Sequence, residues 1–139
     1  GQKDLGREVF TKIPNGGPGV EDRLAMVYHG AVIERGFPLC KFVELTSTAS
    51  AKLFGMFPRK GTIAVGSDAD IVLFDPDKEQ VRSAKTHATN CDYNLFEGMK
   101  IKGVPETVLS RGKVVVEDGR YVGTKTHGKF LKRGPSLAL

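Results

Sequence analysis

The sequence changes character once, near Arg59, and this change limits the folds that the chain can adopt. Residues 1–58 carry helical patterns and loops, whereas residues 59–122 carry short strands separated by glycine and proline. Helices and sheets each bury an apolar face against another layer. Because no internal repeat supplies the missing layers, the sequence predicts part of a larger protein that exposes apolar faces by itself.

A first helix is predicted after the glycine-rich segment 13–19. Four apolar residues recur at helical spacing: Val20, Leu24, Val27 and Ala31. Glu21 and Asp22 suit the positive end of a helix dipole. Gly36 is expected to end this helix, and the following Phe37-Pro38 closes it.

A second helical stretch is predicted to begin near Pro38 and to carry Phe42, Leu45 and Thr46 inward. The hydroxyl cluster at 46–48 is expected to break it, with Ser47 or Thr48 capping a further short helix over 49–54. Gly55 stops that last helix.

The second part of the chain is predicted to form short strands and tight turns. Asp75-Pro76 should close the first buried strand, and Arg111-Gly112 should turn a β-hairpin. The predicted extended segments are 61–66, 71–74, 80–83, 99–102, 107–110, 113–116 and 121–122. The remaining residues of 84–107 are predicted to be irregular, and residues from 123 onward to form a tail.

Charge argues against several classes of protein. The charged fraction of 27% does not predict disorder, and no apolar run approaches the length of a membrane span. The net charge of +5 comes largely from a one-sided stretch after Asp118 that contains Arg120, Lys125, Lys129, Lys132 and Arg133. We expect a solvated basic tail and neither a nucleic-acid nor a membrane partner. A free-standing basic module that binds nucleic acid is the alternative.

Cysteine and histidine give no local metal signature. Cys40 and Cys91 form no CxxC pair, which favours two thiols in a reducing compartment and hence a cytoplasmic location. His29, His87 and His127 form no HxH, HExxH or HxxxH motif. Asp68 and Asp70 are better explained by a turn and a strand edge than by a metal site, because that loop offers no third ligand.

The loop at 13–19 is the remaining candidate site. Its prolines restrict the backbone, and Asn15-Gly16-Gly17 permits positive φ angles. A backbone N–H and C=O held outward here could pair with the C=O and N–H of a cyclic amide, at about 1 kcal/mol for each hydrogen bond. On the pattern alone a structural turn is the favoured interpretation. Asn15 is the candidate substrate-binding residue, supported by Pro14, Gly16 and Gly17.

The segment 10–23, with Ile-Pro-Asn-Gly followed by Val-Glu-Asp-Arg, resembles the signature that follows the last metal ligand in dihydropyrimidinases and D-hydantoinases. The resemblance continues in register through 47–55, 58–70, 92–99 and 110–115. Gly-x-x-Ala-Asp before an apolar strand is shared by many amidohydrolases. Ile-Pro-Asn-Gly combined with Asn-Leu-Phe-Glu-Gly is much narrower.

This resemblance implies an α/β fold, the C-terminal part of a metal-dependent (β/α)₈ barrel plus the C-terminal half of an accessory β-sandwich. Residues 1–58 would be the end of the catalytic barrel, with the substrate loop and closing helices. Residues 59–122 would be half of the sandwich domain. Residues 123–139 would be a C-terminal tail and a candidate subunit contact.

The resemblance also implies an activity. Such enzymes hydrolyse the ring amide bond of dihydropyrimidines or 5-substituted hydantoins to N-carbamoyl amino acids. Two divalent metal ions, usually zinc, activate a bridging hydroxide. Asn15 would contact the small cyclic amide substrate through its backbone.

The family's metal ligands and catalytic aspartate would lie upstream of Gly1, so no catalytic or metal-binding residue is expected in this chain. The chain alone is therefore expected to bind no catalytic metal and to be inactive. The resemblance implies two partners, the N-terminal part of the same protein and further copies in a homotetramer or dimer. The alternative within this resemblance is a non-catalytic assembly protein of the collapsin-response mediator type.

Overall fold

The computed structural model describes residues 1–137, in which helices precede a four-stranded sheet. Two short 3₁₀ helices, Gln2–Gly6 and Phe10–Lys12, come before the loop. Helix α1 (Arg23–Val27) continues into a π-helical segment, Tyr28–Ile33. Helices α2 (Leu39–Val43) and α3 (Ala49–Leu53) follow, joined by the π-helical segment Glu44–Thr48. The strands are β1 (Ile71–Val81), β2 (Lys100–Ser110), β3 (Lys113–Glu117) and β4 (Arg120–Tyr121).

The first helix forms and ends where the sequence predicts. Gly36 adopts a φ of +68°, and its N–H donates to the carbonyl of Val32 at 3.1 Å. A glycine in this conformation closes the helix without a Cβ clash. Val20 is the exception to the predicted apolar stripe, because it is 94% exposed and precedes the helix.

The predicted break at residues 46–48 is wrong. Helical structure continues through them, because the Thr46 hydroxyl donates to the carbonyl of Phe42 at 2.8 Å and leaves the backbone helical. The Thr48 hydroxyl donates to the carbonyl of Gly61 at 2.7 Å, so it does not cap α3. Phe42 is buried as predicted, whereas Leu45 is exposed. Gly55, with a φ of +65°, ends the helix as predicted.

The sheet is an antiparallel meander in the order β1-β2-β3-β4. Its two long strands replace the shorter predicted ones. Asp75 does not end β1, because its carboxylate accepts hydrogen bonds from the N–H groups of Asp77 and Lys78 at 2.9 and 3.1 Å. This turn forms an irregularity within the pairing, and β1 then continues to Val81.

Two further predictions are corrected. Residues 100–110 form one strand instead of two segments at 99–102 and 107–110 with irregular residues between them, because β1 pairs with them along their length. Residues 61–66 form no strand, and Ile63 and Val65 are fully or largely exposed. The predicted hairpin turn is confirmed: Arg111 and Gly112 have φ of +47° and +77°, as a type I′ hairpin requires.

An aromatic cluster joins the helices to the sheet. The ring of Tyr28 lies 5.4 Å from that of Phe42 and 4.7 Å from that of Phe74, centroid to centroid. Gly103 of β2 passes beneath this cluster with a φ of +95°. A Cβ at this glycine would overlap the Tyr28 ring, so only glycine lets the strand approach the helix this closely.

The buried core is small for the amount of apolar surface. Its buried hydrophobic members are Ala25, Tyr28, Phe42, Ala51 and Ile101. Phe10 and Phe130 are among the large apolar side chains that remain exposed. An open groove of about 810 Å³ separates the helices from the sheet between Phe42 and Ile71. Apolar surface of this kind is typical of a chain that packs against further structure.

The segment 123–137 lacks regular structure but returns to the helices. The N–H of Gly134 donates to the carbonyl of Gly55 at 2.7 Å, and that of Leu137 to the carbonyl of Lys52 at 3.0 Å. Residues 138 and 139 of the predicted tail lie outside the described residues. Over residues 1–137, none of the helices has the length and apolar character needed to cross a membrane.

Candidate functional site

The loop at 13–19 presents Asn15 on the surface. Ile13, just before Pro14, is extended with φ −63° and ψ 121°, as the following proline requires. Asn15 is exposed, and Gly16 adopts a φ of +74°. The positive φ predicted for this loop is therefore confirmed at Gly16, and the backbone around Asn15 is accessible from solvent.

Leu95 forms one wall of this loop. A Cβ placed on Gly17 would lie 3.2 and 3.4 Å from the two methyl carbons of Leu95, and one on Gly19 would lie 3.7 Å from the first of them. The loop glycines therefore pack directly on this side chain. Leu95 belongs to the Asn-Leu-Phe-Glu-Gly motif, so two distant motifs meet here.

A buried polar network begins three residues after the loop, at Asp22, and we call Asp22, Arg82 and Asn94 the buried triad. The Nε of Arg82 donates to Oδ1 of Asp22 at 2.6 Å, and its Nη2 bonds the same oxygen. The side-chain amide of Asn94 donates to Oδ2 of Asp22 at 3.1 Å. The Nη1 of Arg82 donates to the side chain of Gln80 at 2.8 Å. Buried charges are tolerated when they are paired and hydrogen-bonded in this way.

Two glutamates extend these contacts at the surface. The carboxylate of Glu21 accepts hydrogen bonds from the N–H groups of Ala88 and Thr89 at 2.8 and 3.0 Å. Glu97 accepts from the N–H of Ala84 and the hydroxyl of Ser83, both at 2.7 Å. The bond from Ala84 and then that from Ser83 hold the pKa of Glu97 below its usual value. Residues 82–98 are thus fastened to the loop and to the start of the first helix.

The three histidines lie apart and contact the backbone. Nδ1 of His29 accepts from the N–H of Lys102 at 3.2 Å. Nε2 of His87 donates to the carbonyl of Cys91 at 2.9 Å, and Nε2 of His127 to that of Ser110 at 2.9 Å. In the described part of the chain, no three His, Cys, Asp or Glu side chains converge in a way that could hold a metal ion. These residues therefore do not fit a catalytic metal centre.

Asp68 and Asp70 are ion-paired within their turn. Oδ2 of Asp68 lies 3.0 Å from Nζ of Lys60 and 3.1 Å from Nε of Arg59, and Lys60 also bonds Asp70. Asp70 accepts the N–H of Arg111 at 2.8 Å, which ties the turn to the hairpin. The hydrogen bonds from Lys60 and Arg59 lower the pKa of Asp68. Both carboxylates are therefore structural.

Comparison with known proteins decides the family. A sequence profile described as "Amidohydrolase family" matches residues 21–115. This chain belongs to the amidohydrolase family. The match includes all three residues of the buried triad and Leu95.

Individual relatives are similar to this chain over almost its whole length. It is 61% identical to a D-hydantoinase of Ralstonia pickettii, over 96% of this chain and 29% of that protein. It is 50% identical to a dihydropyrimidinase of Rattus norvegicus, over 96% of this chain and 26% of that protein. The resemblance seen in the sequence is thereby confirmed, and the chain spans less than a third of these relatives.

Solved structures give the same result. The crystal structure of dihydropyrimidinase from Brevibacillus agri NCHU1002 matches with a TM-score of 0.93 at 54% identity, over 100% of this chain and 30% of that one. An L-hydantoinase (dihydropyrimidinase) from Arthrobacter aurescens matches with a TM-score of 0.83 at 35% identity, over 89% of this chain and 28% of that one. This chain therefore has its family's fold of mixed helices and sheet.

The assignment of Asn15 and its glycines as a substrate site stays a prediction, and the sequence analysis did not single out Arg82 or Leu95. Asp22, Asn94 and Leu95 all lie in motifs that carried the resemblance, so the motifs were the available signal. Arg82 directly follows β1 and lies in none of the motifs that carried the resemblance. Its partner, 60 positions away, becomes visible only in the folded chain.

Proposed function

We propose that this chain is the C-terminal portion of a cyclic amidohydrolase that opens the ring amide bond of dihydropyrimidines or 5-substituted hydantoins. The products would be N-carbamoyl amino acids. The observation that carries the proposal is the exposed loop around Asn15, together with 61% identity to a D-hydantoinase across this part of the sequence. A small cyclic amide is the substrate class that such a loop fits.

In this proposal Asn15 binds the ring through its backbone. One N–H and one C=O of the loop pair with a carbonyl and an N–H of the cyclic amide, at about 1 kcal/mol for each bond. Gly16 and Gly17 have no Cβ, so the flat ring can approach the main chain. Pairing of this kind orients the ring relative to the loop backbone.

The domain division follows from the same proposal. Residues 1–58 end the catalytic barrel, residues 59–122 complete the accessory β-sandwich, and residues 123–139 form a tail that reaches a neighbouring subunit. The open groove and the exposed apolar side chains support a chain that packs on the N-terminal part of its own protein. Assembly into dimers or homotetramers and a cytoplasmic location belong to this proposal as well.

Metal chemistry would come from outside these 139 residues. Members of the family are metal-dependent, and two divalent ions, usually zinc, supply a nucleophile and polarise the carbonyl in such sites. The described side chains of this chain form no ligand group for them. In this proposal the chain contributes substrate binding and orientation.

The alternatives are less well supported. The relatives named above carry enzyme names and give no support to an assembly protein of the collapsin-response mediator type. A free-standing nucleic-acid module would need a folded unit with its own complete core, whereas this chain exposes many large apolar side chains.

The experiment is a ring-opening assay with the full-length, zinc-loaded protein on dihydrouracil and on a 5-substituted hydantoin, with the N-carbamoyl product identified by mass. Asn15→Ala keeps the backbone and should keep most activity, whereas Asn15→Pro removes the N–H and should raise KM. No product from a folded, metal-loaded protein would overturn the proposal. Equal loss in both variants would overturn the backbone role of Asn15.

A further inference from the structure

We propose that the buried triad and Leu95 are positioning residues that hold the loop at 14–19 in its substrate-binding shape. This inference rests on the proposed function, because it assigns residues that act on the substrate through Asn15. None of these four side chains needs to touch the substrate. Their role would be to fix where the loop backbone stands.

The triad is a built, desolvated unit. Asp22, Arg82 and Asn94 are 3%, 8% and 8% exposed. Each carboxylate oxygen of Asp22 accepts a different partner, Arg82 on Oδ1 and Asn94 on Oδ2, so the side chain cannot rotate without losing a bond. Charge-assisted bonds of this kind are short and directional. Asp22 is therefore fixed in position.

Asp22 fixes the exit of the loop. It is the residue just before α1, and its carbonyl accepts the N–H of Met26 at 2.9 Å. The next residue, Arg23, donates its N–H to the carbonyl of Gly19 at 3.1 Å. Because the last residue of the loop is bonded to the first turn of the helix, anchoring Asp22 anchors Gly19.

Asn94 fixes the wall of the loop. Its side-chain carbonyl accepts the N–H of Phe96 at 2.7 Å, which closes a tight turn around Leu95. The same side chain donates to Asp22, so one residue sets both the turn and its distance from the helix. The turn directs Leu95 onto Gly17 and Gly19.

Leu95 acts on the loop more than on the core. Its residue is 56% exposed, and the atoms that a loop Cβ would meet at Gly17 are its two methyl carbons. N–H···O hydrogen bonds keep donor and acceptor about 2.7–3.2 Å apart and weaken steeply when the angle at the hydrogen is poor. A displacement of a few tenths of an ångström at Gly17 would therefore disturb the geometry of the backbone pair two residues away, at Asn15.

The test uses the full-length protein with Leu95→Ala, Gly17→Ala and the double variant. Leu95→Ala removes the side chain that supports the loop. Gly17→Ala instead adds a methyl group 3.2 Å from a methyl carbon of Leu95, which crowds that side chain. We expect each single change to raise KM for dihydrouracil about fivefold, the loss of roughly one hydrogen bond, with kcat nearly unchanged. In the double variant the methyl group occupies the vacated space, so KM should rise no further than in either single variant.

Leu73→Ala is the matched control, because Leu73 lies in β1 and is 55% exposed, much like Leu95. The KM of this variant should stay at the wild-type value. A wild-type KM in both single variants would overturn the inference. So would a double variant whose fold-increase in KM equals the product of the fold-increases in the two single variants. A loss of kcat with unchanged KM would also overturn it.

Hydrogen exchange tests the triad independently of turnover. Asp22→Asn keeps the shape of the side chain but removes its charge, and we expect faster exchange at residues 15–19 with unchanged exchange in β1. Exchange that accelerates equally at residues 15–19 and in β1, or that accelerates in neither segment, would overturn the positioning role. A wild-type protein that opens no ring would overturn the proposed function, whereas an active wild type with insensitive variants would overturn only this inference.

Discussion

Oδ1 of Asp22 accepts a hydrogen bond from Nε of Arg82 at 2.6 Å, and this contact joins residues 60 positions apart in the chain. Asp22 stands before the first helix, and Arg82 follows the first strand. The ion pair therefore connects the helical part of the chain to the sheet. Asp22 follows Gly19, the last residue of the loop that presents Asn15, by three residues.

Replacing Arg82 by methionine should strongly destabilise the full-length protein. The change keeps much of the apolar stem but leaves Asp22 buried without its cation, which costs about 3–5 kcal/mol. Arg59→Met is the control, because the side chain of Arg59 is 57% exposed in its pair with Asp68 and such surface pairs contribute at most about 1 kcal/mol. Denaturant midpoints measure the difference, and equal midpoints for the two variants would contradict it.

Gly103→Ala should destabilise the junction of helix and sheet. The added Cβ would overlap the Tyr28 ring and lie 3.0 Å from Phe74, at a φ of +95°. Overpacking costs about 1–3 kcal/mol, and the strained φ costs about as much again. Gly112→Ala separates the cost of the strained φ from that of the steric overlap, because Gly112 has a φ of +77° and a Cβ there would meet nothing within 4 Å. Thermal unfolding should show the larger loss for Gly103→Ala, and a loss no larger than that of Gly112→Ala would refute the steric part.

The Lys60–Asp68 pair should contribute to acid stability. The hydrogen bond from Lys60, then that from Arg59, lowers the pKa of Asp68 in the folded state. The unfolded carboxyl therefore binds protons more readily, so this contribution is present above its ordinary pKa of 3.8 and is lost as pH falls through the folded pKa. Burial opposes the charge on Lys60, but its bonds to Asp70 and Asp68 outweigh burial and raise its pKa. The contribution of Lys60 is thus full below its ordinary pKa of 10.5 and is lost as pH rises through the folded value.

Asp68→Asn should lower the unfolding temperature near neutral pH. The gap to the wild type should narrow as pH falls from about 5 to about 3, because the wild type loses its own contribution there. Asp77→Asn is the control, since the Asp77 side chain is 82% exposed. A gap that stays constant across this range would show that Asp68 does not act through its charge.

Deleting residues 124–139 from the full-length protein should change its assembly. The tail bonds to the end of α3 through Gly134 and Leu137, so it is held in place along one face. If that face meets a neighbouring subunit, the truncated protein should have a smaller mass by light scattering. An unchanged assembly would reject the subunit contact.

Local patterns predicted the turns and most helix ends, because these depend on a few neighbouring residues. Gly36, Gly55 and the Arg111-Gly112 turn adopt the positive φ that their positions require. The strand boundaries were predicted poorly at Asp75, whose carboxylate bridges its own backbone and lets the strand continue. Pairing between distant strands decides such cases, and one sequence does not show it.

The candidate site likewise contains a part that local sequence predicts and a part that depends on contacts between distant residues. The loop around Asn15 was predicted because prolines and glycines constrain the backbone locally. Arg82 was missed because its role arises from a partner far away in the sequence, and nothing near Arg82 distinguishes it from a surface arginine. Leu95 was quoted within a motif, but its contact with Gly17 exists only in the fold.

The most direct test of the account combines this chain with the polypeptide that precedes it in the full-length protein, in the presence of zinc. The account predicts that neither piece alone opens dihydrouracil or hydantoin, and that the complex, verified by gel filtration and intact mass, does so. A stable, zinc-loaded complex without activity, or ring opening by this chain alone, would contradict it.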